Sequence, residues 1–172
     1  MSRIRYIVAM SLNGYIAGPN GEYDWIVSDP EVNFAELWAQ FDTLLMGRRT
    51  YDIARLRLGE KAFSGIKVFV ASRTLNAPEH PNIRILPNLT RSDLQDLRSQ
   101  ANKDIWLMGG GDLCRTVMAM NQVDTVEVSV MPVLLGGGVQ LLPDPAQRAN
   151  LKLTGTRIYR SGIVSLAYEV QR

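Results

Sequence analysis

Apolar residues come in short unbroken runs along this chain. Several runs stop at a glycine, beyond which apolar positions recur at helical spacing. Ile4–Met10 is a β-rich run, and Ser11–Gly21, with its Gly-Pro and Asn-Gly steps, is a turning loop. Ser28-Asp-Pro-Glu31 supplies an N-cap and an acidic first turn, and Val32, Phe34, Leu37, Trp38 and Phe41 follow at near-helical spacing, so a helix is expected there. Thr43–Met46 predicts a buried strand, Gly47 breaks it, and Arg48–Leu58 predicts a helix with Tyr51, Ala54 and Leu58 inward. Ile66–Ala71 and Ile83–Leu86 read as strands with a loop at Pro78–Pro81 between them, and Thr90–Ala101 as a helix capped by Thr90 with Asp93 three residues on. Ile105–Met108 has the continuous apolarity of a strand covered on both faces. Gly109–Gly111 then leads into a helix with Leu113, Val117, Met118 and Met120 on one side. Val123–Val130 alternates only partly, Pro132–Leu142 is glycine-broken, and Lys152–Tyr159 and Ile163–Val170 form a hairpin around Arg160-Ser-Gly162. Strands alternating with helices, then a terminal hairpin, predict an α/β fold: a mostly parallel central sheet flanked by helices, with an antiparallel edge.

Composition narrows the class of protein. A chain of 172 residues, 46% hydrophobic and 21% charged, suits one core and so a single globular domain over 1–172. No apolar run reaches the ~20 residues of a membrane helix, and Arg3 and Arg5 are not followed by a signal-peptide core, so a cytoplasmic protein without membrane contact is expected. One cysteine, Cys114, and one histidine, His80, leave neither an internal disulfide nor a zinc cluster, so no metal is expected. A net charge of +2 is too small to suggest nucleic acid. The charges are nonetheless segregated: Tyr6–Gly47 holds six acids and no Lys or Arg, and Arg48, Arg49, Arg55 and Arg57 follow closely. Solvated helix faces account for many of them; a basic zone for an anionic cofactor beside an acidic zone for another ligand is the sharper reading.

The candidate chemistry centres on the glycine turn. Gly109–Gly111, with Met108 before it and Asp112 and Leu113 after it, joins a strand to a helix start. Backbone N–H groups there can cradle phosphate, though any α/β protein can use such a turn. Four segments occur in a suggestive order: Ala9–Ala17 (AMSLNGYIA), Met46–Tyr51 (MGRRTY), Val70–Leu75 (VASRTL) and Met108–Asp112 (MGGGD). Together they resemble dihydrofolate reductase. With Pro132–Gly138 (PVLLGGG), they resemble more closely the reductase domain of bacterial riboflavin-biosynthesis deaminase/reductases and its stand-alone relatives.

The resemblance implies a dihydrofolate-reductase-like fold, NADPH as cofactor, and hydride transfer to a small heterocycle of pteridine or pyrimidine type. It implies that Gly109–Gly111 holds the pyrophosphate, with a cis peptide at the first Gly-Gly step. Gly47, Arg48, Arg49 and Thr50 would contact phosphate. Ser72 and Arg73 would hold the 2′-phosphate, Arg73 being otherwise an ordinary exposed turn residue. Ala9 and Ile16 would line the nicotinamide. It also implies a homodimer. Reduction of a heterocycle needs a proton as well as a hydride. Counted back from Met46-Gly47, Glu31 occupies the position of the family's active-site acid. Ser129 falls near the strand position that supports that acid, and Asp24, beside Trp25, is the rival through water. Glu31 facing an apolar cleft would bind its proton more tightly, whereas a plain first-turn acid would not.

Departures bear on the substrate. Ile66 stands where dihydrofolate reductases carry the arginine that grips the folate carboxylate, and Cys114 where a tyrosine is usual. Cys114 also reads simply as a small buried hydrophobe. A ribose-phosphate substrate would need its own cations; Arg55, Arg57 and Lys61 could serve, although the acidic zone over 22–42 argues against it. The rival readings are a non-catalytic NADP(H)-binding protein and a purely structural α/β domain.

Overall fold

The computed structural model describes residues 1–59, 63–80 and 82–172. Lys61, and Pro81 at the end of the expected loop, lie outside them. The strands are β1 (Ile4–Ser11), β2 (Tyr15–Ala17), β3 (Phe41–Gly47), β4 (Lys67–Ala71), β5 (Arg84–Leu86), β6 (Asp104–Gly109), β7 (Thr125–Met131), β8 (Val139–Gln140), β9 (Asn150–Ile158) and β10 (Val164–Gln171). The helices are α1 (Phe34–Trp38), α2 (Arg48–Leu58), α3 (Arg91–Gln100) and α4 (Gly111–Ala119), and a 3₁₀ turn spans Ala77–Glu79. Eight strands form one sheet in the order β5-β4-β3-β6-β1-β7-β10-β9, while β2 and β8 pair separately. The pairs from β5 to β7 are parallel, and β10 joins β7 and β9 antiparallel. This is the α/β architecture expected from the alternation, hairpin included.

Side chains on one strand alternate between two cores. Ile105 and Leu107 belong to the core under α3 and α4, with Leu94, Leu97, Leu113, Cys114 and Val117. Trp106, between them in sequence, belongs to the opposite core, with Leu44, Met46, Val70 and Tyr51 of α2. Burial on both faces is why these strands read as unbroken apolar runs. Arg5 and Arg98, 8% and 7% exposed, lie at the other end of the parallel strands from the glycine turns. Arg5 Nε meets Glu127 Oε1 at 2.7 Å, and Arg98 lies in an ion pair 2.7 Å from Asp124 Oδ2 while donating to the Gln122 carbonyl at 2.7 Å. These buried charges serve the fold at the amino ends of the strands.

Two expectations are corrected. The helix expected from Ser28 through Phe41 is only Phe34–Trp38, and Phe41 opens β3 instead. Asn33 is its cap, accepting from the Glu36 amide at 3.1 Å. The earlier segment turns because Asp29, 5% exposed, accepts from the Glu31 amide at 2.8 Å and from the Ser161 amide at 3.1 Å, tying it to the C-terminal hairpin. Leu58, expected inward, is 49% exposed at the last turn of α2. The Thr90 capping box on α3 is present with Asp93. Pro132–Leu142 contains β8, pinned to the first loop through β2.

Candidate active site

The helix after β3 and the helix after β6 lie on opposite faces of the sheet, because their chains travel in opposite directions: β3–α2–β4 toward the β5 edge, β6–α4–β7 across β1. Adjacent strands β3 and β6 therefore flank the topological switch point, where open α/β sheets receive ligands at the carboxyl ends of their strands. Gly47 ends β3 and Gly109 ends β6. A Cβ on Gly47 would stand 3.6 Å from the Gly109 carbonyl oxygen and 3.8 Å from the Gly110 nitrogen, so the two turns touch. The helices beginning there, α2 after Gly47 and α4 after Gly110, have no side-chain cap on their first N–H groups. Both positive helix ends and their free donors converge on one spot.

Each glycine of the triplet answers a different demand. The Gly109–Gly110 peptide is cis, and Gly109 has φ +103°, in the region that favours glycine. A Cβ on Gly111 would overlap the Gln140 carbonyl oxygen, so α4 packs tightly against the β8 segment. A Cβ on Gly110 would meet nothing within 4 Å: that position faces open space. Ile16 adjoins the turn, its Cδ1 4.0 Å from a Cβ built on Gly109, and Ala9 pairs with Ser129 across β1 and β7. Register sets Ala71 beside Gly47 and Met46 beside Gly109. Ser72 and Arg73 therefore follow a strand end two spacings from the glycine turn, about 10 Å. Ser72 Oγ accepts from the Thr74 and Leu75 amides at 3.2 and 3.1 Å, holding the turn on which Arg73 is exposed. Arg48 donates from Nε to Asp52 at 2.7 Å, Arg49 is exposed, and Thr50 is half-buried in the first turn of α2. Asp112 is exposed and paired with Arg115, whereas the Leu113 side chain belongs to the core.

The acidic candidates separate. Glu31 lies before α1 rather than within it, exposed, with Arg157 NH2 at 3.7 Å and Arg160 Nε at 3.6 Å. Glu31 is not among the residues that line the cleft described next. Ser129 Oγ lies 3.0 Å from Ser165 Oγ. Asp24 lines a cleft of about 310 Å³ together with Gly18, Pro19, Glu22, Trp25 and Leu135–Gly137. Glu22 in that cleft is engaged locally: the Asn20 amide and side chain donate to it at 2.8 and 2.7 Å and hold its pKa below the usual carboxylate range. Asp24 has no hydrogen bond or ion pair among the described residues. Ile66 packs in the α2-side core, where it replaces any carboxylate grip by apolar contact. Cys114 is 2% exposed and desolvation pushes its thiol up to about 12, which fits the small buried hydrophobe.

Sequence reasoning missed Asn13 as a bridge between loops, and it took Arg55 and Arg57 only as candidate ribose-phosphate cations, without their partners. Asn13 bridges two loops, donating from Nδ2 to the Leu135 carbonyl at 2.6 Å and accepting from the Leu135 amide at 3.0 Å. Arg57 stacks over the Tyr23 ring at 3.2 Å, holding the 18–25 loop to α2. Arg55 donates to His80 Nδ1 at 3.3 Å. The Asn-Gly step and the arginine run marked these positions, but their partners are distant in sequence.

The family model for the RibD C-terminal domain matches residues 3–165. The chain belongs to that reductase-like family. Among its relatives is the protein named YyaP of Bacillus subtilis (strain 168), 36% identical over 177 residues and covering 96% of this chain and 94% of that one. YwjB of the same organism is 23% identical over 159 residues, with 91% of each chain covered. A solved structure from Shewanella sp. PV-4, described as a riboflavin biosynthesis protein, superposes with a TM-score of 0.83 at 23% identity over 99% of both chains. The Thermotoga maritima diaminohydroxyphosphoribosylaminopyrimidine deaminase/5-amino-6-(5-phosphoribosylamino)uracil reductase gives 0.75 at 16% identity, over 99% of this chain and 57% of that one. These likenesses are to the fold, and RibD-type neighbours share its mostly parallel sheet and antiparallel pair.

Proposed function

We propose that this member of the RibD C-terminal domain family is an NADPH-dependent reductase acting on a small heterocycle of pteridine or pyrimidine type. The observation that carries the reading is the contact of Gly47 with Gly109–Gly110 at the switch point, where α2 and α4 both begin without side-chain caps. That donor set suits a dinucleotide pyrophosphate, and Gly110 leaves room for close approach. Gly47, Arg48, Arg49, Thr50 and the Gly109–Leu113 backbone would hold the phosphates. Ser72 and Arg73, about 10 Å along the sheet edge, would take the 2′-phosphate with a guanidinium fork. Ala9, Ile16 and Met108 would border the nicotinamide and keep water from it. Bound there, NADPH supplies the hydride.

The proton requires an unengaged carboxylate beside the substrate. Asp24 fits that role better than Glu31, because it faces the cleft while Glu31 pairs with Arg157 and Arg160. Ser129 would act only through its row with Ala9. Of the cations that could receive a ribose phosphate, Arg55 meets His80 and Arg57 stacks on Tyr23. The test is loss of nicotinamide absorbance with dihydrofolate and with the riboflavin-pathway aminouracil ribosyl phosphate side by side. Turnover of either supports the reductase. Cofactor binding without turnover of any heterocycle leaves a non-catalytic NADP(H)-binding protein instead.

We also propose a homodimer through the C-terminal hairpin. A register shift at Ala167/Tyr168 brings Leu151, Leu153 and Ile158 of β9 onto the face that carries Val126, Leu166 and Val170. The three are 43%, 51% and 78% exposed, an apolar area at a sheet edge that a second copy of the chain would cover. Light scattering on the wild type and on Leu153→Glu/Ile158→Glu checks this; a monomeric wild type rejects it.

A further inference from the structure

The strand β1 stands fifth of eight in the sheet, yet Ile7, Val8, Ala9 and Met10 are only half-buried, whereas Ile4, Arg5 and Tyr6 before them are buried. The neighbouring strands account for this. Pairing with β7 runs from Arg5–Thr125 to Ser11–Met131, but pairing with β6 ends at Tyr6–Leu107. In the β1–β6 ladder the Ile105 amide donates to the Arg3 carbonyl at 2.8 Å, and a parallel ladder repeats every second residue, so its later rungs are Leu107 to Arg5 and then Gly109 to Ile7. The pairing stops short of the last rung, and its acceptor is taken by a side chain: the Trp106 indole donates from Nε1 to the Ile7 carbonyl at 3.0 Å. β6 also departs from regularity at that level. Leu45 of β3 pairs with Leu107 but Met46 pairs with Gly109, so Met108 is an extra residue on β6, as in a bulge that bends its strand.

Packing fixes the indole in this pose. Trp106 is 8% exposed in the core on the α2 side, with the Trp38 ring 4.9 Å away and the Phe41 ring 5.3 Å away. A buried indole N–H needs an acceptor, and this one takes a strand carbonyl in the middle of the sheet. Backbone groups alternate sides along a strand, so Ala9, two residues beyond Ile7, turns its N–H and C=O to the same side, past the end of the β1–β6 ladder. We propose that Trp106 is a positioning residue, a wedge whose indole N–H occupies the Ile7 carbonyl and so holds β1 and β6 apart beside Ala9 and Met108. Without that donor the Gly109 amide would close the next rung, and the gap with it. The reductase reading gives this gap to the nicotinamide, and only its use for that ring rests on that reading.

Amide exchange followed by NMR, with calorimetric titration of NADPH and of adenosine 2′,5′-bisphosphate, tests the wedge on wild type and on Trp106→Phe, which keeps an aromatic ring in the core and removes the donor. In ligand-free wild type the Ala9 amide is expected to exchange faster than those of Val8 and Met10, which face β7, and the Trp106 indole N–H is expected to be protected. In Trp106→Phe the Gly109 amide is expected to exchange more slowly than in wild type as it takes the Ile7 carbonyl. To admit the nicotinamide the variant must give that bond up again, so NADPH is expected to bind about 5- to 150-fold more weakly, the equivalent of leaving one buried polar group unpaired. Adenosine 2′,5′-bisphosphate lacks the nicotinamide and is expected to bind both proteins alike. A protected Ala9 amide or a freely exchanging Trp106 indole in wild type overturns the wedge, whether or not the variant folds. NADPH affinity unchanged by Trp106→Phe, or equal weakening of both ligands, overturns the positioning role. Exchange as expected in a wild type that does not bind NADPH upholds the wedge and sinks the reductase reading.

Discussion

Asp24 and Glu31 are both acids of the lysine- and arginine-free segment, and their neighbours divide their roles. Glu31 lies between Arg157 and Arg160, whereas Asp24 has no partner among the described residues and faces the cleft. Asp24→Asn is expected to lower kcat by about 10²–10⁴-fold, the usual worth of a positioned proton donor, and Glu31→Gln to change it little; steady-state kinetics of the two variants decide between them. Asp29 acts on stability instead. The Ser161 hydroxyl lies against its carboxylate, outside hydrogen-bond geometry, and the Glu31 and Ser161 amides donate to it; together they hold its pKa below the usual range. A depressed folded-state pKa contributes stability that is present above the unfolded value, about 3.9, and is lost as pH falls through the folded one. Asp29→Asn should therefore melt lower than wild type at neutral pH, with the gap closing in acid. An unchanged gap across the acid range would show that the carboxylate charge is not what anchors the hairpin.

At the scale of elements, the helix starts carry the contrast between structure and binding. The α3 start is closed by the Thr90–Asp93 capping box, and Thr90→Ala should cost about 1 kcal/mol, or about 2–4 °C of Tm. The α2 and α4 starts have no such cap. Gly111→Ala should damage the fold by driving a methyl into the Gln140 carbonyl, whereas Gly110→Ala should spare it and weaken cofactor binding. Thermal melts with and without NADPH separate these outcomes. Which helices would begin at a glycine was legible from Gly47 and Gly109–Gly111. The shortness of α1 was not, because Asp29 reaches across the chain to Ser161 and no local pattern records that bond.

At the scale of the molecule, the proposed cofactor binding would report on the whole switch point. NADPH at a hundredfold excess over its Kd should stabilise the fold by about 2.7 kcal/mol, raising Tm by roughly 5–11 °C. Arg73→Ala should remove the preference for NADPH over NADH while leaving NADH stabilisation in place, readable in the same melts. A thiol reagent should leave native Cys114 untouched until the chain unfolds, since the thiol is buried and its pKa is pushed up to about 12.

The sequence by itself determined the order of strands and helices, the doubly covered strands and the glycine turns, because those depend on local conformation and on the alternation of apolar positions. It also marked PVLLGGG without a role. Only the tertiary structure decided that Gly47 touches Gly109–Gly110, that Asp24 rather than Glu31 borders the cleft, and that Leu135–Gly137 lies across from Asp24 in it. The physical reason is distance along the chain: a turn's geometry is set by its own few residues, but a site is set by which turns the sheet order brings side by side.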